Sequence, residues 1–385
     1  MTKIVVNTMM TISLGLGLCL APVASQAKDW QLKNLSTLDK AETMAVAANS
    51  HGQIAGVIEN SDGWRQATLY EKGGLKQLGT LGGDESYASG INEKGEISGA
   101  AQLPDGRWHA IIYSKAKGMV DVGPIWARNS QATAINDAGQ VAGYADAPNG
   151  GWHAFVRELD GDHTDLGTLG GKISYANAIN ASGVVVGASR TANGEMHAFV
   201  YQPGKGMIDL GTLGGRTSSA TGISDAGYVV GTSETADRKF HAFIWDGKKM
   251  IDIGKNLSFG NSYATSINNK NQVVGNLVEG YYDRKTFIID AGESTIRHRQ
   301  TGLFQTNMIT NNGTVVGSKV LADRYHAYVL NQEELTPVEQ IKAFNWLLLG
   351  KWLAVLMVLV AGGALFYRWQ HKPWHAGTQQ HQLTT

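Results

Sequence analysis

Along most of this chain apolar and polar residues alternate with period two in short runs, and Gly, Asn, Asp and Ser punctuate the runs. That pattern predicts strands and tight turns, and no long helical stripe interrupts it between Lys28 and Leu330. The clearest stretch starts at Ala176 as A-N-A-I-N-A-S-G-V-V-V-G. A polar turn then leads to His197-Ala198-Phe199-Val200-Tyr201, and another to Asp209-Leu210-Gly211-Thr212-Leu213-Gly214-Gly215. Within this unit the alternation predicts four strands, Ser174–Ile179, Val184–Ala188, Met196–Gln202 and Met207–Leu213. The unit recurs down the chain. Its first glycine falls at Gly52, Gly95, Gly139, Gly183 and Gly227, then at Asn271 and Gly313, a step of roughly 44 residues.

Four hairpin-linked strands make a small antiparallel sheet that is stable only when a neighbouring sheet covers its face. Repeated at this period, that is the blade of a β-propeller. The last unit begins near Thr306 and ends after Tyr325-His326-Ala327-Tyr328-Val329-Leu330, without a fourth strand. The missing piece lies at the other end, where Asn34-Leu35-Ser36-Thr37-Leu38 aligns with Asp209–Leu213. The expected fold class is therefore all-β: a seven-bladed β-propeller of four-stranded blades over 28–330, closed by pairing of its N- and C-terminal strands. An open solenoid would need polar caps, and none is present in the pattern.

The two ends depart from the repeat. Lys3, the apolar run Thr11–Val23 and the small residues Ala24-Ser25-Gln26-Ala27 have the three parts of a secretory signal peptide over 1–27. The only cysteine, Cys19, falls inside it, so the mature chain is expected to have no disulfide. Beyond Leu330, a linker and helix start over 331–345 contains Thr336 as cap, Pro337 in the first turn and Glu339 reaching back. A transmembrane helix is expected over 346–367. Its strictly apolar part is about 16 residues, and counting Lys351 as a snorkelling side chain extends it to roughly 22, enough to cross a bilayer. Trp346, Trp352, Phe366, Tyr367 and Trp369 suit the interfaces, and Arg368, His371 and Lys372 mark the following tail, 368–385, as cytoplasmic. The propeller is thus expected on the periplasmic or extracellular side of a bacterial cytoplasmic membrane, anchored by a single pass.

Charge narrows the partners. Lys and Arg total 33 and Asp and Glu total 33, so nothing favours a polyanion, and no nucleic-acid partner is expected. With 48 Gly and 7 Pro the composition suits many short strands and turns.

The repeated histidine is the most conspicuous chemistry. His109, His153, His197 and His241 stand at the blade step, with His326 in the last unit. Each of the first four has an acidic residue at the start of the next strand: Asp121, Asp165, Asp209 and Asp252. Where the histidine is replaced its partner changes too, Gln66 going with Gln77 and Lys285 with Ser294 or Thr295. The expectation is a structural pair inside each blade, a buried imidazole hydrogen-bonded to a carboxylate. Metal binding or proton transfer is the competing reading, but metal ligands converge on one point and these residues are distributed round a ring. No cofactor and no metal ligand set is expected. The glycines Gly79, Gly167 and Gly211 and the pairs Gly82-Gly83, Gly170-Gly171 and Gly214-Gly215 lack the Lys-Ser/Thr of a phosphate loop, and are expected to serve the blade-to-blade turn.

What varies between copies is the better guide to function. Because strands alternate in direction, the loop between second and third strands and the linker joining blades emerge on one face. Those segments contain Trp64, Tyr87, Arg107, Trp108, Trp126, Arg128, Trp152, Lys172, Met196, Arg216, Phe240, Phe259, Tyr281, Tyr282 and Tyr325. Aromatics mixed with arginine suit a protein-binding or sugar-stacking surface. The competing reading is packing between blades. A carbohydrate-active hydrolase or lyase is a second function class, with Glu85, Glu93, Asp105 and Asp137 as candidate carboxylates at the channel mouth. No nucleophile elbow supports an enzyme. An architectural envelope repeat is a third.

The cores His153-Ala154-Phe155, His197-Ala198-Phe199 and His241-Ala242-Phe243, flanked by D-L-G-T-L-G-G and I-N-x-x-G-x-V-x-G, resemble the HAF repeat family of exported bacterial proteins. The resemblance covers nearly all of 28–330. It implies an extracytoplasmic repeat protein, commonly with a C-terminal sorting or anchoring helix, and implies no established activity. Pro337 stands without the Pro-Glu-Pro triplet of a sorting signal, which favours a retained anchor.

Overall fold

The computed structural model describes residues 28–35, 42–257, 260–279, 283–291, 298–301, 304–321 and 324–334. The expected signal peptide, transmembrane helix and tail lie outside the described residues. The ring occupies Trp30–Gln332, one of the two units into which the chain divides.

Seven four-stranded antiparallel sheets form a β-propeller. Blades one to six span 43–77, 86–121, 130–165, 170–209, 214–252 and 261–301 in simple up-and-down order. The seventh combines Phe304–Ile309, Val315–Leu321 and Arg324–Glu334 with Lys28–Asn34 as its outer strand. The chain's two ends therefore close the ring in one sheet. Leu35 N donates to Ala327 O at 2.9 Å, as Leu210 N does to Ala198 O within blade four.

Blade four shows where the alternation is a good guide and where it is not. Its third strand is Met196–Gln202 as expected, but its first runs Gly170–Ile179 and its fourth stops at Asp209. The D-L-G-T-L-G-G segment, expected to continue the fourth strand as far as Leu213, turns. Asp209 Oδ1 accepts from Gly211 N at 2.7 Å, Thr212 Oγ1 donates to Gly215 O at 2.8 Å, and Gly214 takes a φ of +101°, a left-handed conformation that disfavours any Cβ. In blade six the fourth strand is His298–Thr301, with Arg299 opposite Phe287 where Asp209 stands opposite Phe199. Ser294 and Thr295, the expected partners of Lys285, lie outside the described residues. The connection before that strand is longer than in the other blades, and Lys285 faces Thr301.

The core lies between blades. The alanine of each H-A-F is fully buried, as are Phe155, Phe199, Phe243 and Phe287. That alanine's N–H has lost its ladder partner, because the fourth strand ends and leaves for the next blade. A hydroxyl on the next blade's first strand takes it: Ser86 for Ala67 at 2.9 Å, Ser130 for Ala110 at 3.0 Å, Ser174 for Ala154 and Ser218 for Ala198 at 2.8 Å, and Ser262 for Ala242 at 2.9 Å. At the seam Thr43 does the same for Ala327 at 3.0 Å. A buried donor left without an acceptor is costly, so this bond specifies a small hydroxyl residue at the position.

Near the axis two further sets of side chains tie neighbours. Every first strand has a bulge, and in four blades its extra residue reaches a backbone carbonyl of the adjacent blade. Thr133 donates to Ala176 O at 2.8 Å, Asn177 to Ala220 O at 2.7 Å, Thr221 to Ala264 O at 2.9 Å and Asn307 to Ala45 O at 2.7 Å. Opposite the bulge sits the glycine of V-x-G. A Cβ built on Gly187 would overlap Tyr175 O. The asparagine of I-N-x-x-G caps its own turn and reaches the next one: Asn49 to Asn92 O at 3.1 Å, Asn92 to Asn136 O at 3.1 Å, Asn136 to Asn180 O at 3.0 Å, Asn180 to Ser224 O at 3.3 Å. Blade five has Ser224 instead, and its buried Oγ has no partner.

Asn136→Ala removes the acceptor for Gly139 N and Gln140 N and the donor to Asn180 O. Urea unfolding is expected to show a loss of about 2 kcal/mol. Ser224→Asn extends the ladder to blade six and is expected to add about 1 kcal/mol. Equal midpoints for both variants and the parent would contradict the role assigned to this ladder.

Candidate functional site

The loop between second and third strands and the linker joining blades meet on one face. Trp108 N donates to Asn129 Oδ1 at 3.2 Å, Phe240 N to Asn261 Oδ1 at 2.9 Å, and Arg216 Nε to Glu195 Oε1 at 3.0 Å, each joining one blade's loop to the next blade's entry. The opposite face is formed by the turns that the asparagine ladder stitches together.

On the loop face the aromatics pair with one another. Tyr87 stacks on Trp108 with centroids 4.9 Å apart and planes at 23°. Tyr144 meets Trp152 edge-on at 5.4 Å and Tyr175 at 4.9 Å. Phe240 lies over Tyr263 at 6.2 Å. Trp126 stands edge-on to His163 at 5.7 Å, beside Ile125, which is 99% exposed. Arg107 is paired with Asp105, Arg216 with Glu195, and Arg128 is exposed. Tyr281, Tyr282 and Phe259 lie outside the described residues. The described candidates thus form a rim distributed over several blades.

Tyr144, Tyr175 and Tyr263 are part of this rim and were not among the sequence candidates. A signal for two of them exists: Ser86-Tyr87-Ala88, Ser174-Tyr175-Ala176 and Ser262-Tyr263-Ala264 repeat one tripeptide on alternate blades. Tyr144, on a second strand, carries no such mark.

The histidines pair as their spacing predicts. Nδ1 of His109, His153, His197 and His241 lies 2.7, 2.9, 2.8 and 2.9 Å from a carboxylate oxygen of Asp121, Asp165, Asp209 and Asp252. The rings are well covered, at 13–18% exposed, while Asp121, Asp165 and Asp209 are each 40% exposed. The expected burial therefore holds for the imidazole and not for the carboxylate, because the acid must also reach the linker: Asp121, Asp165 and Asp209 accept from Gly123, Gly167 and Gly211 N. Each pair fastens its linker to its blade. Among the described residues no cluster of His, Cys, Asp or Glu is arranged to hold a metal ion.

The four candidate catalytic carboxylates are divided. Glu85 and Asp105 are on the loop face, beside Tyr87 and Arg107. Glu93 and Asp137 belong to the turns, accepting from Ser50 N and Glu93 N. Asp105 is held below its ordinary acidity range by the Arg107 backbone N–H and then its guanidinium. Burial, and then Glu85, pushes the Tyr87 phenol up.

No protein-family model matches the sequence, and no curated protein matches it. Solved structures do share its architecture. An acylaminoacyl peptidase from Pyrococcus horikoshii matches 83% of this chain at 13% identity with a TM-score of 0.53, over 55% of its own length. TolB from Acinetobacter baumannii matches 76% of this chain at 13% identity with a TM-score of 0.43, over 65% of its own length. At such identity the likeness to the peptidase defines a fold class, the β-propeller, and nothing about the chemistry of this chain. The chain spans less than two thirds of either protein.

Burial, and then Tyr175, raises the Tyr144 phenol above its ordinary value of 10.0. For an acid raised on folding, the unfolded chain ionises first. The associated stability is therefore complete below the ordinary value and lost as pH rises through the folded one. Ultraviolet titration is expected to show late-ionising tyrosines, one fewer in Tyr144→Phe, and the variant's alkaline unfolding midpoint should lie higher. A parent and variant with identical alkaline profiles would remove this cluster from the account.

Proposed function

We propose that this chain is an extracytoplasmic β-propeller, tethered to the cytoplasmic membrane by a C-terminal helix, that binds or scaffolds a protein or glycan partner through its loop face. The observation that carries the reading is the contrast between the two faces. The turn face is locked by side chains that recur from blade to blade. The loop face collects Trp64, Trp126 and Phe240, all substantially exposed, with Arg128, in segments that differ between blades. Large aromatics and arginine, presented on a rigid frame, are what recognition surfaces use.

The tether rests on the sequence of 336–372, with its apolar run, interfacial aromatics and basic flank. Export rests on the N-terminal segment. The ring's closing strand begins at Lys28, so cleavage after Ala27 would leave the seventh blade whole. The resemblance to the HAF repeat family supports the same placement and names no ligand.

The test is crosslinking and affinity capture from envelopes containing the full-length anchored protein. Trp64→Ala, Arg128→Ala and Phe240→Ala are expected to leave thermal melting unchanged, and at least one is expected to weaken capture of the partner roughly tenfold. Capture that survives every loop-face substitution would reject this face as the binding surface.

A further inference from the structure

We propose that Asn149 is a site of self-catalysed deamidation, with His153 as the proton-transferring group. The inference stands apart from the binding role of the loop face. It rests on one turn of blade three, Ala147-Pro148-Asn149-Gly150-Gly151, and the histidine pair beside it.

Three parts of an acyl-transfer site meet there. The electrophile is the Asn149 side-chain amide, on an exposed turn. Its Oδ1 accepts from Gly151 N at 2.9 Å, so a backbone donor already points at the oxygen that becomes negative when the carbonyl is attacked. Its Nδ2 lies 2.9 Å from His153 Nε2. The roles are fixed by the neighbours: His153 Nδ1 donates to Asp165, which leaves Nε2 as an acceptor, and the Gly151 contact fixes which end of the amide is oxygen. The nucleophile is the next backbone nitrogen. It belongs to Gly150, where the space around a Cβ position is empty, so no side chain hinders approach.

The reaction balances with water alone. Gly150 N attacks Asn149 Cγ and loses its proton, which reaches His153 Nε2 through solvent. The imidazolium, stabilised by Asp165, returns that proton to Nδ2 as the Cγ–Nδ2 bond breaks. Ammonia leaves, and a five-membered succinimide remains. Water opens it, giving aspartate or isoaspartate at position 149. The product environment already exists one blade on, where His197 has Asp209 at Nδ1 and the Glu195 carboxylate 3.9 Å from Nε2. A carboxylate at 149 would create the same acid–imidazole–acid arrangement and add a negative charge to the loop face.

Blade four also supplies the control. Asn193-Gly194 is the same dipeptide in the same turn. Gly194 N donates to Thr191 O at 2.9 Å as Gly150 N does to Ala147 O at 3.0 Å, and Gly194 and Gly150 have φ of +81° and +80°. Two differences remain: Asn149 Oδ1 accepts from Gly151 N, a bond that Asn193 lacks, and the histidine faces Glu195 in blade four but the asparagine amide in blade three.

The experiment is ageing of the folded full-length protein at neutral pH, followed by proteolysis and mass spectrometry of the peptides containing Asn149 and Asn193. Each rate is divided by the rate of the same site in denaturant. The normalised rate at Asn149 is expected to exceed that at Asn193 by about tenfold, a modest share of what a positioned acid–base group contributes. His153→Gln, the residue blade one has as Gln66, is expected to abolish the excess, while His197→Gln leaves it intact. Equal normalised rates at the two sites overturn the proposal. So does an undiminished rate at Asn149 in a folded His153→Gln protein. If that variant does not fold, the comparison within the parent decides alone.

Discussion

A hydrogen bond that crosses from six of the seven blades to the next holds this ring together: the alanine N–H of one third strand on the hydroxyl of the following first strand. The need for it is created by the topology. A fourth strand that must leave to start the next blade cannot finish its own ladder, and the donor it abandons is buried. The serine that accepts this donor also donates to the linker carbonyl, Ser174 to Gly167 O at 2.6 Å and Ser218 to Gly211 O at 2.5 Å. One side chain thereby fixes the third strand, the linker and the neighbouring blade together. Blade six departs from this scheme: its fourth strand runs on to place Gln300 opposite Thr286, and its tie to the next blade includes Asn276 bonded to both Thr306 N and Thr306 O.

This dependence explains which parts of the fold the sequence reveals. Period, blade count and closure follow from where Gly52 and its counterparts fall and from the likeness of Asn34-Leu35 to Asp209-Leu210, since both strands end on those residues. The exact strand limits do not follow. Leu210 and Leu213 look like a continuation of the fourth strand, but Thr212 and Gly214 bend the chain there, and local hydrogen bonds outweigh the apolar side chains. The asparagine of I-N-x-x-G reads as an ordinary turn former, and its turn-capping bonds agree with that reading. Its second role, reaching the neighbouring turn, depends on how far apart two copies sit, which no single copy encodes.

The loop face was legible as a face and not as a surface. Strand direction alone places Trp108, Trp152 and Phe240 on one side of the ring. Whether such residues point to solvent or to each other depends on the tyrosines next to them, and Tyr87, Tyr144 and Tyr263 turn three of the candidates into ring pairs. The histidines were legible because the two members of each pair vary together among copies. Their exposure was not, since the aspartate is shared between the ring and a linker N–H.

The copies depart from one another where the blade-to-blade bonds permit it. The linker after blade two has abandoned D-L-G-T-L-G-G for Gly123-Pro124-Ile125-Trp126-Ala127-Arg128, yet Ser130 still accepts from Ala110 N, so the latch holds while the segment above it changes. Freed from the threonine turn, this linker folds on Ala127 N to Pro124 O and raises Ile125 into solvent with Trp126 leaning on His163. An isolated aliphatic at that exposure gains nothing for the folded ring by burial. The same logic bounds the rest of the rim: residues one position from a latch serine are held by the frame, and residues in the middle of a linker or loop are free to be chosen for something other than folding.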